Sequence, residues 1–341
     1  MSPFSQGRYD LHMSWVEHAI WWHIYPLGLC GAPIREPNTA PGPRLRRLLG
    51  WLDYAVELGC SGLLLGPIFT SQSHGYDSLD LFHIDPRLGD EADFAELVSQ
   101  CRKRGLRILL DGVFSHVGAK HPDVQHALVQ GPDSATGKLF DIDWQHPDAP
   151  TPRVFEGHSS LVRLNHSGQE AVDLVVRVMS HWLERGIDGW RLDAAYSVPP
   201  EFWSKVVKRV RPRHPNAWLL GEVLHGDYCA FVAESGIDSV TQYELWKAIW
   251  SSINDRNLFE LDHALGRHNQ FLGSFIPNTF VGNHDVTRIA SRVGTDGTVT
   301  ALAVLMTVAG IPSIYYGDEQ AFVGIKEDRL GGDDAIRPAF P

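Results

Sequence analysis

The chain has 341 residues, 43% of them hydrophobic and 21% charged, with a net charge of −11. That length can bury a full core and can form one large α/β barrel domain. No Lys/Arg-rich stripe is present to neutralise phosphates, which argues against nucleic acid as a partner, and no apolar run reaches membrane-spanning length.

The opening MSPFSQGRYDLHMSWVEH has no apolar signal core, so a cytoplasmic location is expected. Met13 is a candidate start, because Trp15 opens the first structured run. AIWWHIY (19–25) reads as a first strand, and RLRRLLGWLDYAVELG (44–59) as a helix whose basic cluster forms its wet face. CSGLLLGP (60–67) is a short apolar run bounded by turn residues and predicts a second strand. EADFAELVSQCRKRG (91–105) predicts an amphipathic helix closed by Gly105, and GLRILLDGV (105–113) a third strand.

Residues 119–170 break this rhythm, being rich in Pro, His, Asp and Gly with little periodicity. A connection this long inside a compact fold is usually functional or a small inserted unit. A helix over 170–185 follows, with Val172, Val175, Val176, Met179, Trp182 and Leu183 at helical spacing. GIDGWRLD, AWLLGE, IDSVTQY, FIPNTFVG and GIPSIYYG predict strands four to eight, with helices at 200–210, 227–234, 244–272 (in one or two pieces) and 298–308. Strands alternating with helices imply a parallel sheet, and eight of them a (β/α)8 TIM barrel. No internal repeat or low-complexity linker interrupts it.

After the eighth strand, residues 318–341 carry no apolar helical stripe. The barrel is therefore expected to be incomplete at its C-terminal end, with the outward side chains of the eighth strand uncovered. A barrel strand is normally buried on both faces, and an exposed apolar patch favours association. The polypeptide is accordingly expected to continue past Pro341 or to form a homo-oligomer. Cys30, Cys60, Cys101 and Cys229 lack metal spacing and read as free thiols.

Four apolar runs stop at carboxylates: Asp111, Asp193, Glu222 and Asp285. Taken singly, an acid at a strand end is an ordinary N-cap or loop residue. Several acids at the carboxyl ends of parallel barrel strands stand where such folds do chemistry.

The residues around these acids resemble glycoside hydrolase family 13, the α-amylase family, nearest its neopullulanase and cyclomaltodextrinase members. The resemblance rests on HGYDSLD (74–80), DGVFSH (111–116), GWRLDAA (189–195), LLGEV (219–223), FVGNHD (280–285) and GIPSIYYGDE (310–319), in the family's order. It implies a barrel formed by 1–118 and 171–341, an inserted domain B at 119–170, and a C-terminal antiparallel β-domain for which these residues leave no room. Arg163-Leu164-Asn165 resembles the Lys-Leu-Asn motif of the neopullulanase group, and Ala194-Ala195 looks like α-1,4-acting members.

Retaining cleavage of an α-glycosidic bond requires a carboxylate nucleophile and a carboxylic acid about 5–5.5 Å away. By resemblance Asp193 is the nucleophile, Glu222 the acid/base and Asp285 the third acid, which holds substrate hydroxyls. Adjacent strands about 4.8 Å apart make the separation reachable. Arg191, two residues before Asp193 on the same strand face, is expected to lower the Asp193 pKa and keep it ionised. Less compensated charge is expected beside Glu222. His116 and His284 resemble the family's histidines that bond sugar hydroxyls, and Tyr76 its stacking platform. Asp334 and Arg337 resemble a pair that grips a sugar one unit further in. Asp111 is expected to brace Arg191, with His74 and Asp77 shaping the Tyr76 loop.

Ser115 replaces an Asn that helps bind calcium in many α-amylases, and Tyr196-Ser197 replaces a Lys-His pair. Calcium is therefore doubtful, and no cofactor or metal ligand is expected. The resemblance implies a retaining α-1,4-glucan hydrolase acting on maltooligosaccharides or cyclodextrins. A transglycosidase on the same substrates and an inactive glucan-binding homologue stay open beside it.

Overall fold

A computed structural model describes residues 15–35, 40–146 and 149–341. The candidate start Met13 lies outside them. Eight parallel strands form the centre: β1 (Trp21–Ile24), β2 (Gly62–Leu65), β3 (Arg107–Gly112), β4 (Gly189–Leu192), β5 (Trp218–Gly221), β6 (Ser239–Val240), β7 (Asn278–Phe280) and β8 (Ile311–Tyr315). Their order is β6-β5-β4-β3-β2-β1-β8-β7, and a parallel bridge from Thr241 to Asn278 joins the two ends. The eight-stranded barrel read from the sequence is thus present.

Alternation along the strands sorts the interior into layers. Trp21, Leu64, Leu109, Trp218 and Leu220 share one apolar cluster near the N-terminal mouth. Trp21 and Trp218 stack there at 5.8 Å and 6°. Gly62 pairs in register with Trp21 and leaves space for its ring, since a Cβ at this position would lie 2.3 Å from it. Two residues further along the strands the interior turns polar: His23 follows Trp21, Asp111 follows Leu109, and Glu222 follows Leu220. Intervening residues such as Trp22, Leu63, Ile108, Trp190 and Leu219 belong to the main core with the surrounding helices.

The helices follow the apolar stripes closely. The helix Gln169–Glu184 buries Val172, Val175, Met179, Trp182 and Leu183, and Pro200–Val210 follows β4. The stretch expected at 244–272 is two helices, Tyr243–Asp255 and Phe259–Phe271. The helix expected at 298–308 starts earlier, at Ile289, and is broken at Gly294, whose φ is 74°. Two features were not read from the sequence. An antiparallel hairpin, Phe69–Ser71 with Ser78–Ile84, follows β2 and carries the Tyr76 loop at its tip. A small sheet of His116–Gly118, Val154–Phe155 and His158–Arg163 runs through the excursion between β3 and the helix at Gln169.

The eighth strand corrects an expectation. No α-helix follows it, yet Ile311, Ile314, Tyr315 and Tyr316 are all buried. The segment after it supplies Ile336 and Phe340, both buried, and Phe340 packs edge-on against Trp51 at 4.7 Å. The Phe340 ring also lies 6.0 Å from that of Tyr316, so the tail covers part of what a helix was expected to cover. Among the described residues no helix is long and apolar enough to cross a membrane.

Candidate active site

Register brings the acids together. Arg191 pairs with Asp111 across β3/β4, and Leu192 pairs with Gly221 across β4/β5. Asp193 and Glu222 are the next residues of both strands, so they sit side by side at the carboxyl end of the barrel. Asp285 follows β7.

One guanidinium organises the centre. Arg191 Nη1 lies 2.5 Å from Asp111 Oδ2 and 3.2 Å from Asp193 Oδ1, and Nη2 lies 2.6 Å from Glu222 Oε1. Asp111 therefore braces Arg191, as expected. The expected charge pattern is reversed, however. Arg191 is shared among three carboxylates and sits nearer Glu222 than Asp193. Burial and the neighbouring Glu222 carboxylate push the Asp193 carboxyl well above its usual range, and the attraction of Arg191 does not offset them. A single cation divided three ways cannot keep every acid ionised in a low-dielectric pocket.

Glu222 is held at both oxygens. Oε1 accepts from the Tyr243 hydroxyl at 3.0 Å, and Oε2 accepts from the Ala194 N–H at 2.9 Å. Ala194 adopts a left-handed backbone, φ 44°, which is sterically costly for a residue with a Cβ. That strained turn directs the N–H after Asp193 at Glu222.

Asp285 has a cationic setting of its own. Oδ1 pairs with Arg337 Nη2 at 2.8 Å, and Oδ2 lies 2.9 Å from His284 Nε2. Burial opposes ionisation, but His284 and then Arg337 outweigh it and hold this carboxyl well below the usual range.

His284 is fully buried between parallel rings, with Tyr76 at 5.2 Å and Tyr25 at 6.1 Å. Its Nε2 contacts the Tyr76 hydroxyl, and its Nδ1 lies 3.2 Å from His23 Nε2. Tyr76 also donates to Asp111 Oδ2 at 3.0 Å. His116 is committed to the protein as well. Its Nε2 faces the Tyr76 carbonyl at 3.0 Å and must donate there, leaving Nδ1 to accept from Ser115 Oγ at 2.8 Å. Burial lowers its pKa to about 4, so the ring is neutral. Neither nitrogen of His116 is free for a sugar hydroxyl, and its visible work is to hold the Tyr76 loop. Asp77 helps by accepting from Ser73, and His74 Nδ1 accepts from the Tyr76 N–H at 3.3 Å.

The pair read as Asp334 and Arg337 is split. Arg337 is buried in the site, with Nε donating to the His284 carbonyl and the guanidinium 4.7 Å from the Tyr25 ring. Its acidic partner within the tail is Asp333, at 3.1 Å, whereas Asp334 points to solvent and pairs with Arg35. The segment is irregular, so no periodicity distinguishes the two neighbouring aspartates.

Sequence reasoning also missed His23, Tyr243 and Asn283. His23 carried a usable signal, being the one polar residue inside the buried strand WWHI. Asn283 donates to the Tyr243 hydroxyl at 2.9 Å, so it steadies Glu222 at one remove.

The side chains present do not fit the calcium site that the family resemblance raised. Ser115 Oγ is bonded to His116, Tyr196 donates to Glu156, and Ser197 donates to the Ala194 carbonyl. Among the described residues no group of three or more His, Cys, Asp or Glu is placed to hold a metal. A hard cation wants several carboxylate or carbonyl oxygens, and these positions offer hydroxyls already in use.

The alpha-amylase catalytic-domain family matches residues 45–339. A cyclomaltodextrinase of Geobacillus thermopakistaniensis (strain MAS1) is 31% identical, covering 93% of this chain and 58% of its own length. A maltogenic alpha-amylase of Bacillus acidopullulyticus is 30% identical, covering 91% of this chain and 57% of its own. The chain thus spans less than two thirds of the length of these curated relatives. Among solved structures, the cyclic alpha-maltosyl-(1→6)-maltose hydrolase from Arthrobacter globiformis, in complex with maltose, superposes with a TM-score of 0.84 at 27% identity. That match covers 96% of this chain and 79% of the other.

Proposed function

The chain belongs to the α-amylase catalytic-domain family, and from that premise we propose that it is a retaining α-glucan hydrolase cleaving α-1,4 links of maltooligosaccharides or cyclodextrins. The observation that carries the reading is the juxtaposition of Asp193 and Glu222 at matching positions of adjacent barrel strands, joined through Arg191. Two carboxyl groups flanking one bond are what retaining cleavage requires.

In this reading the proton that burial and Glu222 favour on Asp193 passes to Glu222 once substrate is bound. Asp193 then attacks the anomeric carbon as carboxylate while Glu222 gives that proton to the leaving oxygen. A glycosyl ester forms on Asp193. Glu222 then takes a proton from water as that water displaces the ester. Return of the proton to Glu222, whose carboxyl the Ala194 N–H orients, and of the Asp193 carboxylate to Arg191 closes the cycle. Asp285, held ionised by His284 and Arg337, grips sugar hydroxyls as the ring flattens. Tyr76, backed by His284, is the platform under that sugar. Residues 119–170 serve as the inserted domain B that walls one side of the cleft. Names of relatives that include cyclomaltodextrinase and intracellular maltogenic amylase support short glucans as substrates and a cytoplasmic location.

Product analysis on maltoheptaose, β-cyclodextrin and pullulan is expected to give short maltooligosaccharides, released in the α configuration as followed by proton NMR. Release of the β-anomer, or no turnover of any glucan, would overturn the assignment.

The role of Glu222 has its own test. Glu222→Gln is expected to slow maltotriose cleavage by roughly 10²–10⁴-fold, the usual worth of a general acid. The loss on α-maltosyl fluoride should be far smaller, because fluoride departs with little protonation. An equal loss on both substrates would remove Glu222 from this role.

A further inference from the structure

The polar layer of the barrel interior holds a residue that the reading above leaves unused. His23 lies on β1, paired in register with Leu64 of β2 and Tyr315 of β8, and is 4% exposed. Its Nε2 lies 3.2 Å from His284 Nδ1, with the two rings edge to face at 82°. Among the described residues His284 Nδ1 has no other partner.

Counting hydrogens ties the two rings together. The Tyr76 hydroxyl spends its own hydrogen on Asp111 Oδ2, so it meets His284 Nε2 with a lone pair. Asp285 Oδ2, 2.9 Å from the same nitrogen, is an acceptor as well. His284 Nε2 must therefore carry a hydrogen. A neutral imidazole has only one, so a neutral His284 accepts at Nδ1 from His23. An imidazolium His284 donates there, and His23 must turn a lone pair toward it. The charge on His284 and the tautomer of His23 are a single choice.

The surroundings favour the charged arrangement. His284 is the ring that touches the Asp285 carboxylate. Burial, and then the charges of His284 and Arg191, push the His23 ring well below its ordinary value; Arg288 adds to them and Asp285 opposes them. His23 is thus kept neutral, and a positive charge on the pair rests on His284, beside the anion. His23 also lines a small cavity with Glu222, Thr241, Asn278 and Ser313, whose oxygens can accept the hydrogen that its other nitrogen then carries. The phenols of Tyr25 and Tyr76 cover His284, the Tyr315 ring lies 5.4 Å from His23, and Arg337 donates to the His284 carbonyl.

We propose that His23 is a positioning residue for Asp285: by accepting the Nδ1–H of His284 it lets that ring stand as an imidazolium against the carboxylate, and so sets how firmly Asp285 holds the sugar. This rests on the hydrolase reading above. Among the attractions that keep Asp285 ionised against burial, His284 comes first, ahead of Arg337. Without an acceptor at Nδ1 an imidazolium would bury an unpaired charged N–H, which costs more than an unpaired lone pair. His284 would then give up its proton, and Asp285 would lose the larger part of its support. The loss falls on the sugar that Asp285 grips as its ring flattens, and leaves departure of the other sugar untouched.

The first measurement needs no change to His23. Isotope-labelled histidine rings read by nitrogen NMR at pH 7, with His284→Asn identifying the His284 signals, should show hydrogens on both nitrogens of His284. His23→Leu should return His284 to the neutral form in the same spectra. It should also lower kcat/KM about tenfold to hundredfold, the scale of a hydrogen bond to a charged group, mainly through kcat. The loss should be equal on maltotriose and α-maltosyl fluoride, because both place the same kind of sugar on Asp285; Glu222→Gln separates the two substrates instead. His23→Gln offers a carbonyl oxygen at similar reach and should recover activity to within about threefold of wild type, with His284 charged again. A neutral His284 in the wild type would overturn the proposal alone. So would unchanged kinetics in His23→Leu, or a glutamine variant no better than the leucine one. A wild-type enzyme without turnover on either substrate would overturn it together with the hydrolase reading.

Discussion

Asp193→Asn is expected to abolish turnover, by on the order of 10⁴-fold or more. A neutral amide cannot form the glycosyl ester. The same substitution should not cost stability. Asp193 is raised well above its unfolded value by burial and by Glu222. A carboxyl whose folded pKa is raised favours folding below its unfolded pKa and opposes it increasingly as pH climbs through the folded one. At neutral pH the group therefore works against the fold, and an isosteric amide relieves the crowding. Thermal unfolding at pH 7 should show a Tm equal to or above wild type, alongside the loss of activity. Clear residual turnover in a clean preparation would disqualify Asp193 as nucleophile.

Arg191→Met carries the other large effect, and here the damage falls on the fold as well as on turnover. Removing the shared cation leaves Asp111, Asp193 and Glu222 facing one another, with Asp111 and Arg191 wholly inside the barrel. Breaking a buried pair in this way costs about 3–5 kcal/mol. Burial already raises Asp111 and Asp193 in the presence of Arg191, and removing Arg191 lifts them further. Between the unfolded carboxyl value near ~4 and the raised folded values, the native variant binds more protons than the unfolded chain. Its stability must then fall as pH rises through that window. Urea unfolding should show the deficit large at pH 7.5 and much smaller at pH 5. A deficit below about 1 kcal/mol, or one that does not change with pH, would mean that the guanidinium does not hold the carboxylates together.

What could be read from the sequence was what repeats. Barrel strands buried on both faces show as short apolar runs, and a polar residue two places beyond an inward Leu or Gly lands in the upper layer of the interior. Asp111, Asp193, Glu222 and Asp285 stand out as the carboxylates that end such runs, Arg191 as the cation two places before Asp193, and their roles follow from the family resemblance. His23 obeys the same alternation as the one polar residue of WWHI, but no carboxylate ends that run to draw attention to it. The electrostatic arrangement was beyond reach. Sequence spacing puts Arg191 on the face of Asp193, but only the side-chain geometry shows that its two terminal nitrogens are claimed first by Asp111 and Glu222. Irregular segments hid the rest. Nothing periodic tells Asp333 from Asp334, or says that His116 turns both nitrogens to Ser115 and the Tyr76 carbonyl. Phe340 packs on Tyr316 at the end of the eighth strand as an isolated side chain, a pattern that a search for a helical stripe passes over.

The contacts that make up the site join residues very far apart in the chain: 80 positions between Asp111 and Arg191, 208 between Tyr76 and His284, and 261 between His23 and His284. Such pairings carry a high loop-closure cost and make folding slow. During synthesis from the N-terminus, β1 waits for β8 and β6 waits for β7, so two strand edges stay unpaired until most of the chain has been made. An open edge is a template for pairing with another chain. The closed ring that aligns the three acids is therefore also the step that removes a nascent chain from the risk of aggregation, and assembly of the site and escape from misfolding are a single event.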